Sequence, residues 1–414
     1  MAVAEQVMKN KHPSIVTINS GSSSIKFAIY QIEAQQLLLL NGSIDNIGTK
    51  NIKFGFKTNG DPEKKNIPIG AKNYDDAIGA LIEWLQRLPV FASIIAIGHR
   101  IVHGMRHTRP EVITEALLKE LKSYIAFDPE HLPAEIGLVE AFQNQFPSVP
   151  QVACFDTSFH SSMPTVAKLL PIPRKYYNKG ILRYGFHGLS YAYLLQELQR
   201  IDPPKASGKI IMSHLGNGAS ITAVKEGKSI DTSMGFTPAS GLPMSTRTGD
   251  LDPGVASYLM QTENLTSHAF NQLVNHQSGL LGISESSGDM QVLLEAAATD
   301  KLAADAVDVF CYGAKKYVGA YAAVLGGLDV LVFAGGIGEH SPEVRSRICD
   351  GLEFLGIELC EISNRRNAAI ISTEKSKVTV RVIPTDEGLM MARLVQTVII
   401  NTDKNPLYGN ADSQ

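Results

Sequence analysis

An excess of basic residues, closely spaced cysteines and long apolar runs are all missing from this sequence, and each absence closes off a class of function. Lys and Arg number 38 against 41 Asp and Glu, a formal net charge of −3 over 414 residues. Nucleic acid and anionic membrane surfaces are held by clustered cations, so neither is expected as a partner, and a small molecule is expected instead. The four cysteines, Cys154, Cys311, Cys349 and Cys360, lie far apart and form no CxxC pair. No zinc site or redox dithiol follows from that spacing, and all four read as reduced, buried, structural thiols. No apolar run approaches the roughly 20 residues that span a bilayer, and "MAVAEQVMKNKHPS" lacks the apolar centre of a secretory signal. A cytoplasmic protein is expected.

What is present is a mixture of short apolar runs and helical periods. Strand-like runs recur as "IVTINS", "IKFAIY", "IIAIGHRIVHG", "QVACFDTSFH", "KIIMSHLGNG", "SITAV", "DVLVFAGG" and "VTVRVIP". Helical periods fill 73–88, 115–125, 135–146, 192–200 and 300–324. That alternation predicts α/β layers around central sheets. The stretches "IVTINSGSSSIKFAI" from Ile15 and "IIMSHLGNGASITAV" from Ile210 share one pattern, strand, polar residue, small-residue turn, strand, at an offset of 195 residues. This predicts two copies of one sheet-based unit, with ligands bound in a cleft between them. The boundary is expected within 156–164, with the segment "DEGLMMARLVQTVII" returning to the first unit.

Three small-residue stretches could meet an anion. "NSGSSS" and "HLGNGAS" let backbone N–H groups approach a phosphate without Cβ interference; each alone reads better as an ordinary tight hairpin, but two at matched positions favour the phosphate reading. "VFAGGIGEHSPEVRSRI" runs strand, glycine-rich turn, helix, with Ser341 as N-cap and Pro342 at the first helical position. Polar clusters at strand ends supply Arg100 with His99 and His103, Asp156 with His160, and His187 between glycines. An uncompensated carboxylate after an apolar strand is costly, so Asp156 is expected to meet a cation or a metal. The long segment 231–254, "DTSMGFTPASGLPMSTRTGDLDPG", carries Arg247 as its only cation and reads either as a site-lining lid or as a disordered insertion.

Taken together, "INSGSSSIKF", "GHRIVHG", "FDTSFHSSMP", "RYGFHGLS", "SHLGNGASI", the 231–254 segment, "FAGGIGEHSPEVR" and "PTDEGLMMA", in that order, resemble the acetate kinase family of carboxylate kinases. The resemblance implies duplicated ribonuclease-H-like α/β domains of the sugar kinase, heat-shock ATPase and actin superfamily, with an interdomain cleft. Residues 14–156 with 388–404 would form the N-terminal domain, residues 157–387 would bind nucleotide, and 1–13 and 405–414 would be polar tails. It also implies reversible transfer of the ATP γ-phosphoryl group to acetate with Mg²⁺, or Mn²⁺ in its place, by a homodimer.

Position by position, the resemblance makes Asn19 and Glu387 magnesium-site residues and sets Lys26 near the nucleotide phosphates. Arg100 would hold the substrate carboxylate, with Val102, Phe186 and Pro238 around its alkyl end. Asp156 would be the active-site aspartate, and His187 and Arg247 transition-state stabilisers. Nucleotide would meet His214, Leu215, Gly216, Asn217 and Gly218, then Gly336, Ile337, Gly338, Glu339 and His340, and also Asp289, Met290 and Gln291. A free carboxylate with a pKa of about 4.3 is already ionised at neutral pH, so no general base is required and Asp156 is expected to orient a metal or a neighbouring cation.

Four positions depart from the family pattern. Gln291 stands where a basic residue is expected against adenine, His340 replaces an asparagine, "HGM" replaces "HGG", and Glu130 in "FDPEHLP" takes the place of a pocket-lining leucine. Propionate as acceptor and pyrophosphate as donor are therefore carried beside acetate and ATP. A nucleotide-sensing protein without turnover is the reading from another class. Asn19, Arg100, Asp156, His187, Arg247 and Glu387 together argue against it, because a pure binder needs no paired cations at a transfer point.

Overall fold

Strand β1 (Ser14–Ser20) is buried at every position except Asn19, as befits the centre of a sheet covered on both faces. An antiparallel meander runs outward on one side through β2 (Ser24–Gln31), β3 (Leu37–Asp45), β4 (Lys53–Thr58) and β5 (Lys65–Ile67). On the other side, β6 (Ile94–Ile101) lies parallel to β1 and β8 (Gln151–Phe155) lies parallel to β6. The two-residue β7 (Glu111–Val112) closes that edge. The structure, a computed structural model, describes residues 12–403 apart from 22, 34, 35 and 62. The expected polar tails fall almost wholly outside the described residues.

The chain divides into two units, Met1–Ser158 with Asp386–Gln414, and Phe159–Thr385. The second unit repeats the arrangement of the first. Its central β9 (Lys209–Leu215) pairs antiparallel with β10 (Ala219–Lys225), which pairs antiparallel with β11 (Lys228–Thr232). On the other side β12 (Val330–Ala334) is parallel to β9, and β13 (Thr379–Val382) is parallel to β12. β1 and β9 begin at 14 and 209, β2 and β10 at 24 and 219, so both pairs keep the offset of 195 seen in the sequence.

Helices cover the sheets with their apolar stripes. α1 (Tyr74–Gln86) starts where the Asn73 side chain accepts from the Asp76 N–H at 2.8 Å, and it buries Ala77, Ile78, Leu81, Ile82 and Leu85. The single tryptophan, Trp84, packs among Phe27, Phe54 and Phe56 with ring centroids 4.9–5.3 Å apart. α2 (Glu115–Ser123) stops two residues short of the expected end. α3 (Leu132–Gln145) begins three residues earlier than expected, because Pro133 fits a first turn that needs no backbone donor. α4 (Gly188–Ile201) also begins early, directly after His187, and lays Tyr191, Leu194 and Leu198 on β9 and β12. α5 (Lys301–Leu325) is capped by Asp300 and ended by Gly326 at φ +68°, and the final α8 (Glu387–Asp403) returns to β1, β6 and β8.

Two expectations change. "GGIGEH" is a short helix, α6 (Gly335–His340), rather than a turn, followed after Ser341 by α7 (Pro342–Cys349) with Ser341 and Pro342 in the roles expected. A Cβ on Gly335, at φ +76°, would stand 2.6 Å from the Leu215 carbonyl oxygen, so only glycine starts this helix against β9. Cys154, Cys311 and Cys349 are buried thiols, but Cys360, the residue preceding the helix Glu361–Arg365, is only half-buried. No helix among the described residues is long and apolar enough to cross a membrane.

Candidate active site

The parallel strands β1, β6 and β8 end side by side, and each presents one polar residue at or just past its carboxyl end: Asn19, Arg100 and Asp156. The Arg100 Nε donates to Asp156 Oδ2 at 3.1 Å and its Nη2 makes a second, shorter bond to the same oxygen, while Nη1 donates to Asn19 Oδ1 at 3.0 Å. The Asn19 amide donates in turn to Glu387 Oε2 at 2.9 Å, at the first residue of α8. Four side chains separated widely in sequence thus form one chain, Asp156–Arg100–Asn19–Glu387, within the first unit. Asp156 is wholly buried, and its Oδ1 has no hydrogen-bond partner. Burial alone would lower the Arg100 pKa, but Asp156, Glu387 and Glu135 outweigh it and hold the guanidinium above its ordinary value.

A further carboxylate stands behind this group. Glu135, in the first turn of α3, is buried and accepts the Val102 N–H on both oxygens at 3.2 and 3.1 Å. Burial, then Asp128, push its carboxyl well above the usual range, while Arg100 pulls the other way. Glu130, the carboxylate singled out from sequence, is only half-buried. The signal for Glu135 was periodic, since residues 132, 135, 136 and 139 mark one helical stripe and three of them are Leu, Ile and Val. Lys26 pairs in register with Asn19 across β1 and β2, which sets the two side chains on one sheet face, and Lys26 is exposed rather than buried.

The second unit gathers the other cations. His187 takes φ +57°, a conformation rare outside glycine and asparagine, and stacks on His214 with ring centroids 4.2 Å apart. Its Nδ1 lies 2.9 Å from Ser220 Oγ, which lies 2.5 Å from the Tyr191 hydroxyl, so a buried polar pair holds the ring's orientation. A Cβ on Gly218 would come 3.2 Å from His187 Nε2 and 3.8 Å from Arg247 Nη1, so the imidazole and the guanidinium converge over a glycine that leaves them room. Arg247 Nη1 also donates to the Pro238 carbonyl at 3.3 Å. His214 Nδ1 is 2.8 Å from Ser190 Oγ, which is 2.7 Å from Thr385 Oγ1.

The remaining expected nucleotide residues fall into two places. The Gly216–Gly218 turn, closed by the Gly216 N–H donating to Gly218 O at 3.0 Å, lies against the start of α6, whose Glu339 accepts from the N–H groups of Gly335 and Thr385. Arg345, fully buried and missed in the sequence reading, bonds the carbonyls of Gly338 and Glu339 and thereby holds the end of α6. Asp289 caps its own helix through the N–H groups of Gln291 and Val292, Met290 is buried, and the Gln291 amide donates to Glu295 at 3.0 Å. Segment 231–254 is packed rather than a disordered insertion: Leu242 and Met244 are buried, and the Asp250 carboxylate accepts the Gly241 N–H. His99 and His160 stand apart from these groups, one bonded to Gln151 and the other to Ser229 and the Phe186 carbonyl. Burial pushes both pKa values down to about 4.

The sequence pattern of the Acetokinase family matches residues 14–393. The chain belongs to that family. It is 44% identical over 397 residues to a protein of Thermoanaerobacterium thermosaccharolyticum named acetate kinase, covering 93% of this chain and 98% of the relative. The acetate kinase of Methylocella silvestris is 41% identical, covering 92% and 96%. Among solved structures, the acetate kinase of Porphyromonas gingivalis superposes with a TM-score of 0.84 at 35% identity, over 94% of this chain and all of that one. The propionate kinase of Francisella tularensis does so with a TM-score of 0.87 at 37% identity, over 93% of this chain and all of that one. The fold is that of the acetate and propionate kinases, and the relatives are kinases acting on a carboxylate.

Proposed function

We propose that this chain transfers the γ-phosphoryl group of ATP reversibly to acetate, directly and in line, giving acetyl phosphate and ADP. The observation that carries this reading is the Asp156–Arg100–Asn19–Glu387 chain at three adjacent strand ends. Arg100 has five N–H donors, of which three are engaged, so two remain for an incoming carboxylate while Asp156 holds the plane of the guanidinium. Since the acceptor is already ionised, the barrier lies in bringing anions together and in stabilising charge on the transferring phosphoryl. His187 and Arg247, converging over Gly218, are the groups proposed for that charge. The Gly216–Gly218 turn and α6 are proposed to hold nucleotide.

Oxygen donors suit a hard cation, and the unpartnered Asp156 Oδ1 is of that kind, as are the Glu387 carboxylate bonded by Asn19 and the Asn19 Oδ1 bonded by Arg100. Mg²⁺ keeps several waters and binds substrate phosphates, so one or two protein carboxylates suffice to hold it. Bound there, Mg²⁺ would neutralise phosphate charge. Pairing into a homodimer is supported by Leu251, Val255, Tyr258 and Met260, apolar and exposed on or beside the helix Pro253–Thr262, none of whose residues is buried. Propionate is the second acceptor to consider, because the fold of the propionate kinase of Francisella tularensis, with a TM-score of 0.87, matches this chain as well as that of the Porphyromonas gingivalis acetate kinase, with a TM-score of 0.84.

The test is acyl phosphate formation trapped as hydroxamate, with ATP, GTP and pyrophosphate against acetate, propionate and butyrate. ATP with acetate is expected to be fastest, and loss of turnover on chelating Mg²⁺ is expected. No acyl phosphate from any pair would end the kinase reading.

A further inference from the structure

Glu135 has no part in the scheme above, yet it is a buried carboxylate whose hydrogen-bond partner is the main chain of the strand that carries Arg100. β6 ends at Ile101, whose carbonyl accepts the Asp156 N–H at 3.0 Å. The next N–H, that of Val102, lies beyond the ladder, and both Glu135 oxygens take it. Val102 directly follows the last residue of the strand and stands two residues from Arg100, so the two share one backbone setting. The anchor is rigid: Leu132, Ile136, Val139 and Phe142 fix α3 in the core on either side of Glu135.

We infer that Glu135 is a positioning residue for the carboxylic acid substrate, acting through the Val102 N–H to set Val102 and the Arg100 guanidinium two residues before it. This rests on the kinase reading, in which Arg100 meets the acid's carboxylate and Val102 its alkyl end. What the position requires is an acceptor at that reach, not a charge. A buried N–H left without its acceptor costs about as much as one net hydrogen bond or more, which is enough to let the strand end drift.

The experiment compares steady-state constants of the full-length protein with acetate and ATP varied in turn. Glu135→Gln keeps an acceptor at the same reach, and its KM for acetate is expected within about threefold of the parent. Glu135→Leu removes the acceptor at similar volume, and its KM for acetate is expected to rise about tenfold or more while KM for ATP stays within about twofold. If Glu135→Leu does not fold, Glu135→Asp, which withdraws the carboxylate by one methylene, is expected to raise KM for acetate about fivefold with the same split. A merely structural residue would lower thermal stability without separating the two KM values. An unchanged ratio of the two KM values in a folded variant without the acceptor would overturn the inference, as would Glu135→Gln proving as damaging as Glu135→Leu. Parent protein that makes no acyl phosphate from any acid refutes the kinase reading itself, whereas active parent with unsplit KM values refutes only the role of Glu135.

Discussion

Replacing Asp156 by alanine while Arg100 stays would strand a guanidinium whose side chain is only 16% exposed beside an empty space where a fully buried carboxylate had stood. Removing one member of a buried ion pair costs about 3–5 kcal/mol, because the partner keeps its desolvation and loses its attraction. Glu387 and Glu135 still face Arg100 and soften the loss, which sets the expectation at the lower end, about 3 kcal/mol. Arg100→Ala strands Asp156 in the same way, whereas the double variant strands neither, so a double-mutant cycle is expected to show a coupling of about 2–3 kcal/mol. The chain offers a natural probe, since Trp84 is its single tryptophan and packs, partly buried, against the core of the same unit. With a urea slope of about 2 kcal/mol per M, each single variant should move the Trp84 fluorescence midpoint down by about 1.5 M, and the double by less than the two together. A coupling below about 0.5 kcal/mol would refute the argument that this pair is held by mutual compensation.

Three other outcomes are expected. Arg247→Ala should lower kcat by on the order of 10²–10³, the scale for removing one donor to developing charge, and a change of only a few-fold in the hydroxamate assay would remove Arg247 from the proposed transfer step. Met105 takes φ +48°, where the family pattern has glycine, and Met105→Gly should relieve about 1 kcal/mol of strain, read as a higher Trp84 urea midpoint. His99 and His160 are neutral when folded and would charge near pH 6.5 when unfolded. Their contribution is therefore whole above about pH 6.5 and lost as the pH falls towards 4, on the order of 3 kcal/mol each. Glu135, shifted the other way, offsets part of this, so the test is comparative: His99→Gln should flatten the fall of the Trp84 midpoint between pH 7 and pH 5.

Local rules wrote much of this molecule into its sequence. The alternation of apolar runs and helical periods, the 195-residue offset and the Ser341–Pro342 helix start follow from the residues along the chain, and they stand in the structure where those residues placed them. Helix starts at Leu132 and Gly188 were harder to see, because the first turn of a helix contributes little apolar period. The family motifs named the polar residues at the strand ends, but not their partners. That Asn19 bonds both Arg100 and Glu387, that Gly218 lies beneath His187 and Arg247, and that Glu135 is buried while Glu130 is only half-buried were decided by tertiary packing. Pattern along a chain reports which face a residue occupies, whereas burial, and with it the energy of a charge, depends on what distant segments bring against that face.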